Sequence, residues 1–486
     1  MRVRCLVDIA GDQPVALKGL GALWLAAVRG GKRAPSPGHA RTGALLLAFL
    51  LLAFAPARAG EVPPAVYARL EELKTRGAVP LWLGVDRPLV PAELARLLTR
   101  NAGPEAAGLL EGLRDALGGS LWVSWPYGPL GIGAGSGGLS GAGPGLWYTL
   151  GWRSWPDRSE LGYAALSFPV GTVDVLVGRA PVQWGPGAYA GLAFSQYAGG
   201  LDLLRVSFQP WEGVRYSKFF GRVDDRVSAV GQRVDFLVGP NLRLGVGDAV
   251  LMVGSPYWLY LVNPLPPLNA LDVGFAIFNK EVHRTRNDNG AITLDFDWVP
   301  FPGLRFYGEV LVDDVQFVWP TLISPELEPA QWGATFGFHW LEALPGWGVR
   351  FEYTVVPNWT YAAVAGSTHW MARGLPLGHP VGNDFDLWHL RLARSDPEGL
   401  ELWVSYLRKG EGRTDRFWSS PAEARGALFL TGVVEHSVLV GAELGGGSGA
   451  WIYRLGPWLG YRTNAGHVPG AARLDWGVSL AAQARY

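Results

Sequence analysis

The sequence runs to 486 residues, in which 42 basic and 42 acidic residues cancel, only 17% of positions are charged, and Trp and Gly number 23 and 67. Such neutrality argues against nucleic acid as a partner, and the length suits either several domains or one large barrel. The single cysteine, Cys5, precedes the expected mature start, which excludes disulfides and thiolate metal sites downstream.

An apolar run from Ala44 to Phe54 follows Arg41 and leads to Ala57-Arg58-Ala59 before Gly60, the pattern of a secretory signal with its cleavage site. Residues 1–59 therefore read as a signal peptide with a long leader, either genuine or the product of a start codon placed upstream of a true start near Val28. Taking them away removes eight basic and two acidic residues and leaves 34 against 40, a mildly acidic exported chain.

Residues 60–118 carry helical signals. Pro63 and Pro64 precede Val66, Leu70 and Leu73; Pro91 precedes Leu94, Leu97 and Leu98; Pro104 precedes Leu109, Leu113 and Leu117. Three short amphipathic helices can bury one another's apolar stripes, but a helical span of a bilayer needs about 20 apolar residues. The segment is expected to be a small α-helical bundle, on the periplasmic side if the remainder is a barrel.

From residue 119 to 486 the period falls to two. Val349, Phe351, Tyr353 and Val355 alternate with Arg350, Glu352 and Thr354; Trp476, Val478, Leu480, Ala482, Ala484 and Tyr486 alternate with smaller or wetter residues. Strands place successive side chains on opposite faces, so these runs offer one face to lipid and one to water. Short turns at residues 299–303, 342–347 and 395–399 alternate with long segments at residues 315–330, 357–384 and 410–423, as on the two rims of an outer-membrane barrel. The expected fold is mainly β: a transmembrane antiparallel outer-membrane β-barrel of about 18 strands, with the helical domain ahead of it. A soluble sandwich or propeller would also alternate, but would not carry this much Trp. The glycine-rich tract Gly128 to Gly145 lacks the Lys of a phosphate loop and reads as a loop or weakly packed hairpin.

Two stretches stand out. Arg179, Gln183, Trp184, Gly185, Pro186 and Gly187 combine a forced backbone path with a charge, an amide and a stacking face. Further on, Asp295-Phe296-Asp297 leads to Arg305, Glu309, Asp313 and Asp314. In these stretches, and in the order of its parts, the chain resembles the Wzi capsule-assembly family of outer-membrane proteins. That resemblance implies a helical bundle before an eighteen-stranded barrel and a non-enzymatic, lectin-like role in holding capsular or extracellular polysaccharide at the surface. On that reading the partners are polysaccharide, outer-membrane lipid and the barrel-assembly machinery, with no cofactor and no nucleic acid.

Sugars are held by aromatic faces and by amides and carboxylates, so Trp319, Trp359, Tyr361, Trp370 and Trp418 on the long-loop segments are candidate polysaccharide contacts, the alternative being an upper aromatic girdle. For the Gln183–Gly187 stretch, an inward fold or a role in the wall competes with direct sugar contact. No Gly-x-Ser-x-Gly elbow or His-Glu-x-x-His pattern occurs, so the chain is not expected to be an enzyme. The rival is a porin-like channel for small solutes, whose lumen Arg305, Glu309, Arg350, Glu352, His389 and Arg391 would line; these residues would equally brace a plug. A third reading is an envelope anchor that grips a periplasmic partner.

Overall fold

The computed structural model describes residues 64–79, 81, 85–87, 94, 120–125, 135–143, 146–154, 159–254, 258–263, 288–312, 331–364, 368–394, 399–418, 429–448 and 451–485. The signal segment, the second expected helix apart from Leu94, the third expected helix, and Trp319, Asp313 and Asp314 lie outside the described residues. Residues 57–486 form one compact unit.

Helix α1 (Pro64–Thr75) starts on proline, whose missing N–H is not needed at a first turn. The first nine strands are β1 (Ser120–Trp125), β2 (Gly135–Gly143), β3 (Leu146–Ser154), β4 (Ser159–Val170), β5 (Val173–Ala180), β6 (Leu201–Trp211), β7 (Val214–Arg222), β8 (Val227–Val238) and β9 (Leu242–Val253). A one-turn helix, α2 (Trp258–Val262), precedes β10 (Asn289–Phe301), β11 (Leu304–Val312), β12 (Trp332–Leu344) and β13 (Trp347–Val356). Three two-residue strands follow, β14 (Ala363–Val364), β15 (Met371–Ala372) and β16 (Leu375–Pro376), then β17 (Phe385–Arg394), β18 (Leu400–Lys409) and the short β19 (Phe417–Trp418). The chain finishes with β20 (Glu435–Ser448), β21 (Trp451–Thr463) and β22 (Ala472–Arg485).

All but β14, β15, β16 and β19 join one 18-stranded sheet in which each strand pairs antiparallel with the next. Because β1 pairs with β2 on one side and β22 on the other, the ladder closes on itself and no edge is left to aggregate. The glycine-rich tract supplies a wall strand: β2 pairs with β3 along its length in a hairpin, since ladder hydrogen bonds need only backbone. Residues 427–461 hold two long strands, β20 and β21.

Connections of two residues at 171–172, 212–213, 302–303 and 345–346 share one rim with the start of β1 and the end of β22, whereas residues 181–200, 254–288, 313–331, 357–384 and 410–434 connect strands on the other. Gly171, Gly213, Gly303 and Gly346 occupy positive φ in the short turns, a conformation that costs a residue with a Cβ more. On β22 the apolar phase faces outward, with Trp476 76% exposed and Val478 and Leu480 also exposed. Leu455, Leu459, Val438 and Val440 continue this band across β21 and β20. Exposed Trp211, Trp298, Trp340 and Trp451 mark the short-turn rim, as a girdle at the headgroup level does.

The exterior departs from this pattern at β7 to β9. Lys218, Gln232 and Asp248 occupy one transverse row, each the register partner of the next. Bare charge at mid-strand would be expensive in lipid. Here Lys218 donates to the Asn263 carbonyl, and Tyr260 of α2 packs on Val230, Val250 and Met252, so the row is covered by protein.

Candidate functional site in the barrel lumen

The connection from β5 to β6, residues 181–200, turns into the barrel. Gly185 has φ +91°, and a Cβ there would meet the Glu309 carboxylate; a Cβ on Gly187 or Gly191 would strike backbone oxygens of Ala190 or Trp184. The Trp184 ring then has a place to go. It lies against Gly231 and Gly247 of the inner wall and meets Phe194 and Phe219 edge-on, at centroid distances of 5.0 and 5.6 Å. Such T-shaped contacts match the ring quadrupoles.

Two carboxylates of the wall hold this inward segment by its backbone. Glu352 accepts from the Ala188 and Tyr189 amides at 2.6 and 3.2 Å and from the Tyr307 hydroxyl at 2.9 Å, while Glu309 accepts from the Leu192 amide at 3.2 Å. From the long-loop rim, Trp370 Nε1 donates to the Ala193 carbonyl and the Tyr361 hydroxyl to the Leu192 carbonyl, both at 2.6 Å. Ser195 adds a backbone hydrogen bond to Leu377 at 2.7 Å. These bonds satisfy polar backbone that would otherwise be buried without partners.

Below the inward segment lies a belt of ion pairs. Arg233 forks to Asp295 and Asp235, both from 2.7 to 2.8 Å, and Arg243 joins Asp235 at 2.8 Å and Asp297 at 2.9 Å. Arg305 bridges Asp297 on the wall to Glu71 of α1. Lys74 lies 3.9 Å from Asp297, Thr75 bonds His339 through its hydroxyl at 3.1 Å, and the Gly303 amide donates to the Thr75 carbonyl at 2.8 Å. Helix α1 is thus pinned to the short-turn end of the lumen. Burial presses the Lys74 ammonium down to about 8, helped by the Arg305 charge and opposed by Asp297 and Glu71.

A second latch comes from residues 86 and 87. Asp86 is buried between Arg205 and Arg215, at 2.6 and 2.8 Å, and Arg87 exchanges two backbone hydrogen bonds with Gln183. Burial alone would raise the Asp86 carboxyl, but the two guanidiniums and the Ser217 hydroxyl overcome it and hold the group at about 2.

The expected site residues therefore separate. Gln183, Trp184, Gly185, Pro186 and Gly187 form the inward fold, with Glu309 holding it and Arg305 tying α1. Arg179 stands apart, forked to Asp202 at 2.6 and 2.7 Å on the outer side of the wall. Trp359, Tyr361 and Trp370, expected as rim contacts, are 2%, 0% and 0% exposed: the polar edges of Tyr361 and Trp370 bond the inward segment, and Trp359 packs with Ala362 within the rim loop. Trp418 lies in β19, which pairs with β14. Asp384, which the sequence places beside the candidate rim aromatics together with Asn358 and His369, knots the rim loops: with φ +53° it accepts from the Gly412 amide, the Thr431 amide and the Thr431 hydroxyl at 2.8, 3.1 and 2.6 Å. No grouping of three or more metal-ligating side chains occurs among the described residues.

Among solved structures, the chain aligns over 89% of its length with the whole of Wzi, an outer-membrane protein involved in group 1 capsule assembly in Escherichia coli and a carbohydrate-binding β-barrel, at a TM-score of 0.63 and 15% identity. The chain has the Wzi fold. It also aligns with OprD of Pseudomonas aeruginosa, over 75% of this chain and 93% of that one, at a TM-score of 0.40 and 11% identity, a likeness too loose to bear on function. No family model and no curated protein matches the sequence. The resemblance to Wzi expected from the two motif stretches thus holds at the level of fold: the chain is an outer-membrane β-barrel.

Proposed function

We propose that this chain is a lectin-like outer-membrane protein that binds capsular or extracellular polysaccharide for assembly or attachment at the cell surface, and that it catalyses no reaction. The observation that carries this reading is the inward segment fixed by Glu309 and Glu352, with α1 pinned beneath it by Arg305. A barrel of this strand number has room for an aqueous channel unless side chains or segments occupy it. A diffusion pore gains nothing from filling its lumen, whereas a surface binder gains a rigid support. Similarity of fold to a carbohydrate-binding barrel supports the same reading.

The porin-like alternative rests on the other half of the wall, where Arg391, Glu401 and Glu443 of β17, β18 and β20 are about a third exposed or less, yet not buried. Binding of the purified chain to a broad array of bacterial glycans tests the proposal. Selective retention of at least one polysaccharide is expected; a blank array together with solute flux in liposomes would favour the channel.

A further inference from the structure

We infer that the inner wall from β17 to β22 carries a second aromatic surface, made by Trp403 and Trp458, that takes a neutral linear oligosaccharide inside the barrel. The inference rests on the glycan-binding reading and gives it a site that the buried rim aromatics do not.

The two rings share one transverse row. Trp403 is the register partner of Gly441, Gly441 of Trp458, and Trp458 of Gly477. The phase is inward, because Leu402, Val404, Leu455 and Leu459 on the opposite phase are exposed to the outside. Each ring lies on a glycine. A Cβ at Gly441 would strike Trp403, and one at Gly477 would stand 2.7 Å from Trp458 Nε1. A side chain at either position would lift the ring from the wall; glycine lets it lie along the backbone and leaves the other side toward the lumen. Both tryptophans are half-buried. Two strand spacings separate them, ~10 Å, a distance that a short stretch of saccharide spans. His389 stands beside the row, 6.1 Å from the Trp403 ring, with its Nδ1 2.7 Å from the Ser405 hydroxyl.

Polar groups flank the rings above and below. Toward the short-turn end, Arg391 pairs with Glu401 at 3.0 Å and Glu443 at 3.5 Å, and Arg454 reaches Glu443 at 3.8 Å. Toward the long-loop end, Arg462 pairs with Asp475 at 3.0 Å and Glu435 at 3.3 Å, and Arg473 joins Asp475 at 2.6 Å. Guanidiniums and carboxylates supply donors and acceptors for hydroxyls on both sides of a stacked ring. Four of each sign give no net field that would draw a polyanion. Flat apolar faces between balanced polar rows suit the C–H face and hydroxyl rim of a neutral pyranose chain.

The test is isothermal titration of the detergent-solubilised full chain with maltohexaose, cellohexaose and mannohexaose, and with hexagalacturonate as the anionic comparison. At least one neutral hexamer is expected to bind, at least tenfold more tightly than the anionic one. Trp403→Ala and Trp458→Ala should each weaken that binding tenfold or more, Trp403→Phe should stay within threefold of wild type, and lipid-facing Trp476→Ala should change nothing. Hydroxyl-radical footprinting of the wild-type chain removes any dependence on variant folding: the bound hexamer should protect Trp403 and Trp458 and leave Trp476 oxidised as before. Unprotected rings, unchanged affinity in both alanine variants, or a wild type that binds none of the neutral hexamers would overturn the inference. Binding that survives both substitutions removes this site while leaving the glycan-binding reading intact; a blank glycan array removes the reading itself.

Discussion

Asp86 makes two arginines of the wall depend on a residue far from them in sequence, 119 positions from Arg205 and 129 from Arg215. Its carboxyl is held below the unfolded value of about 4, so the folded state binds fewer protons than the unfolded state between those two values. The latch is therefore fully present above pH 4 and is lost as pH falls through about 2, and its pH-dependent part amounts to about 2 kcal/mol. Asp86→Asn should destabilise the chain at neutral pH, and denaturant titrations should show the gap to wild type narrowing below pH 4. A gap that stays constant to pH 2 would mean the pair contributes nothing through ionisation. Glu352→Ala should cost about 1–3 kcal/mol by leaving the Ala188 and Tyr189 amides without acceptors in a buried site, and should raise hydrogen exchange in residues 181–200 while sparing β20 to β22.

Among elements, β22 shows what the sequence reveals unaided. Its period of two, with Trp476, Val478 and Leu480 on one phase, was enough to assign a lipid face, because a strand's alternation is set by the backbone alone. The inward course of residues 181–200 was legible only as an unusual concentration of Gly, Pro and Trp; nothing local announces that Gly231 and Gly247, from two other strands, vacate the space for Trp184. The burial of two of the rim aromatics was hidden for the same reason. Trp370 and Tyr361 look like exposed stacking faces in a long polar connection, and only the folded inward segment supplies the Ala193 and Leu192 carbonyls that draw them inside. Conversely, Trp403 and Trp458 sit in ordinary alternating strands, and their glycine partners become visible only through register. The lipid face makes a direct prediction: Val440→Arg, at mid-strand on the exposed phase of β20, should cost about 2–4 kcal/mol in bilayer refolding measurements. A cost near zero would mean this face is not against lipid.

At the scale of the whole molecule, closure and filling are separate achievements. Closure comes from eighteen strands whose first and last members pair. Filling comes from the segment after β5, held from the wall, and from α1, held from below, so the barrel acts as a support as much as a tube. Removing the ties between them should open a path without unmaking the wall: Arg305→Ala, which frees Glu71 from Asp297, should raise solute flux through reconstituted vesicles while β22 remains protected from proteolysis.

Single-channel recording of the full chain in planar bilayers tests the closed, glycan-holding account most directly. The account predicts silence or brief flickers from the wild-type protein at ordinary voltages, with steady conductance appearing only when the ties of α1 and the inward segment are cut. Long-lived open currents from the wild-type chain, of the size a free lumen of eighteen strands would pass, would contradict it and make the protein a channel.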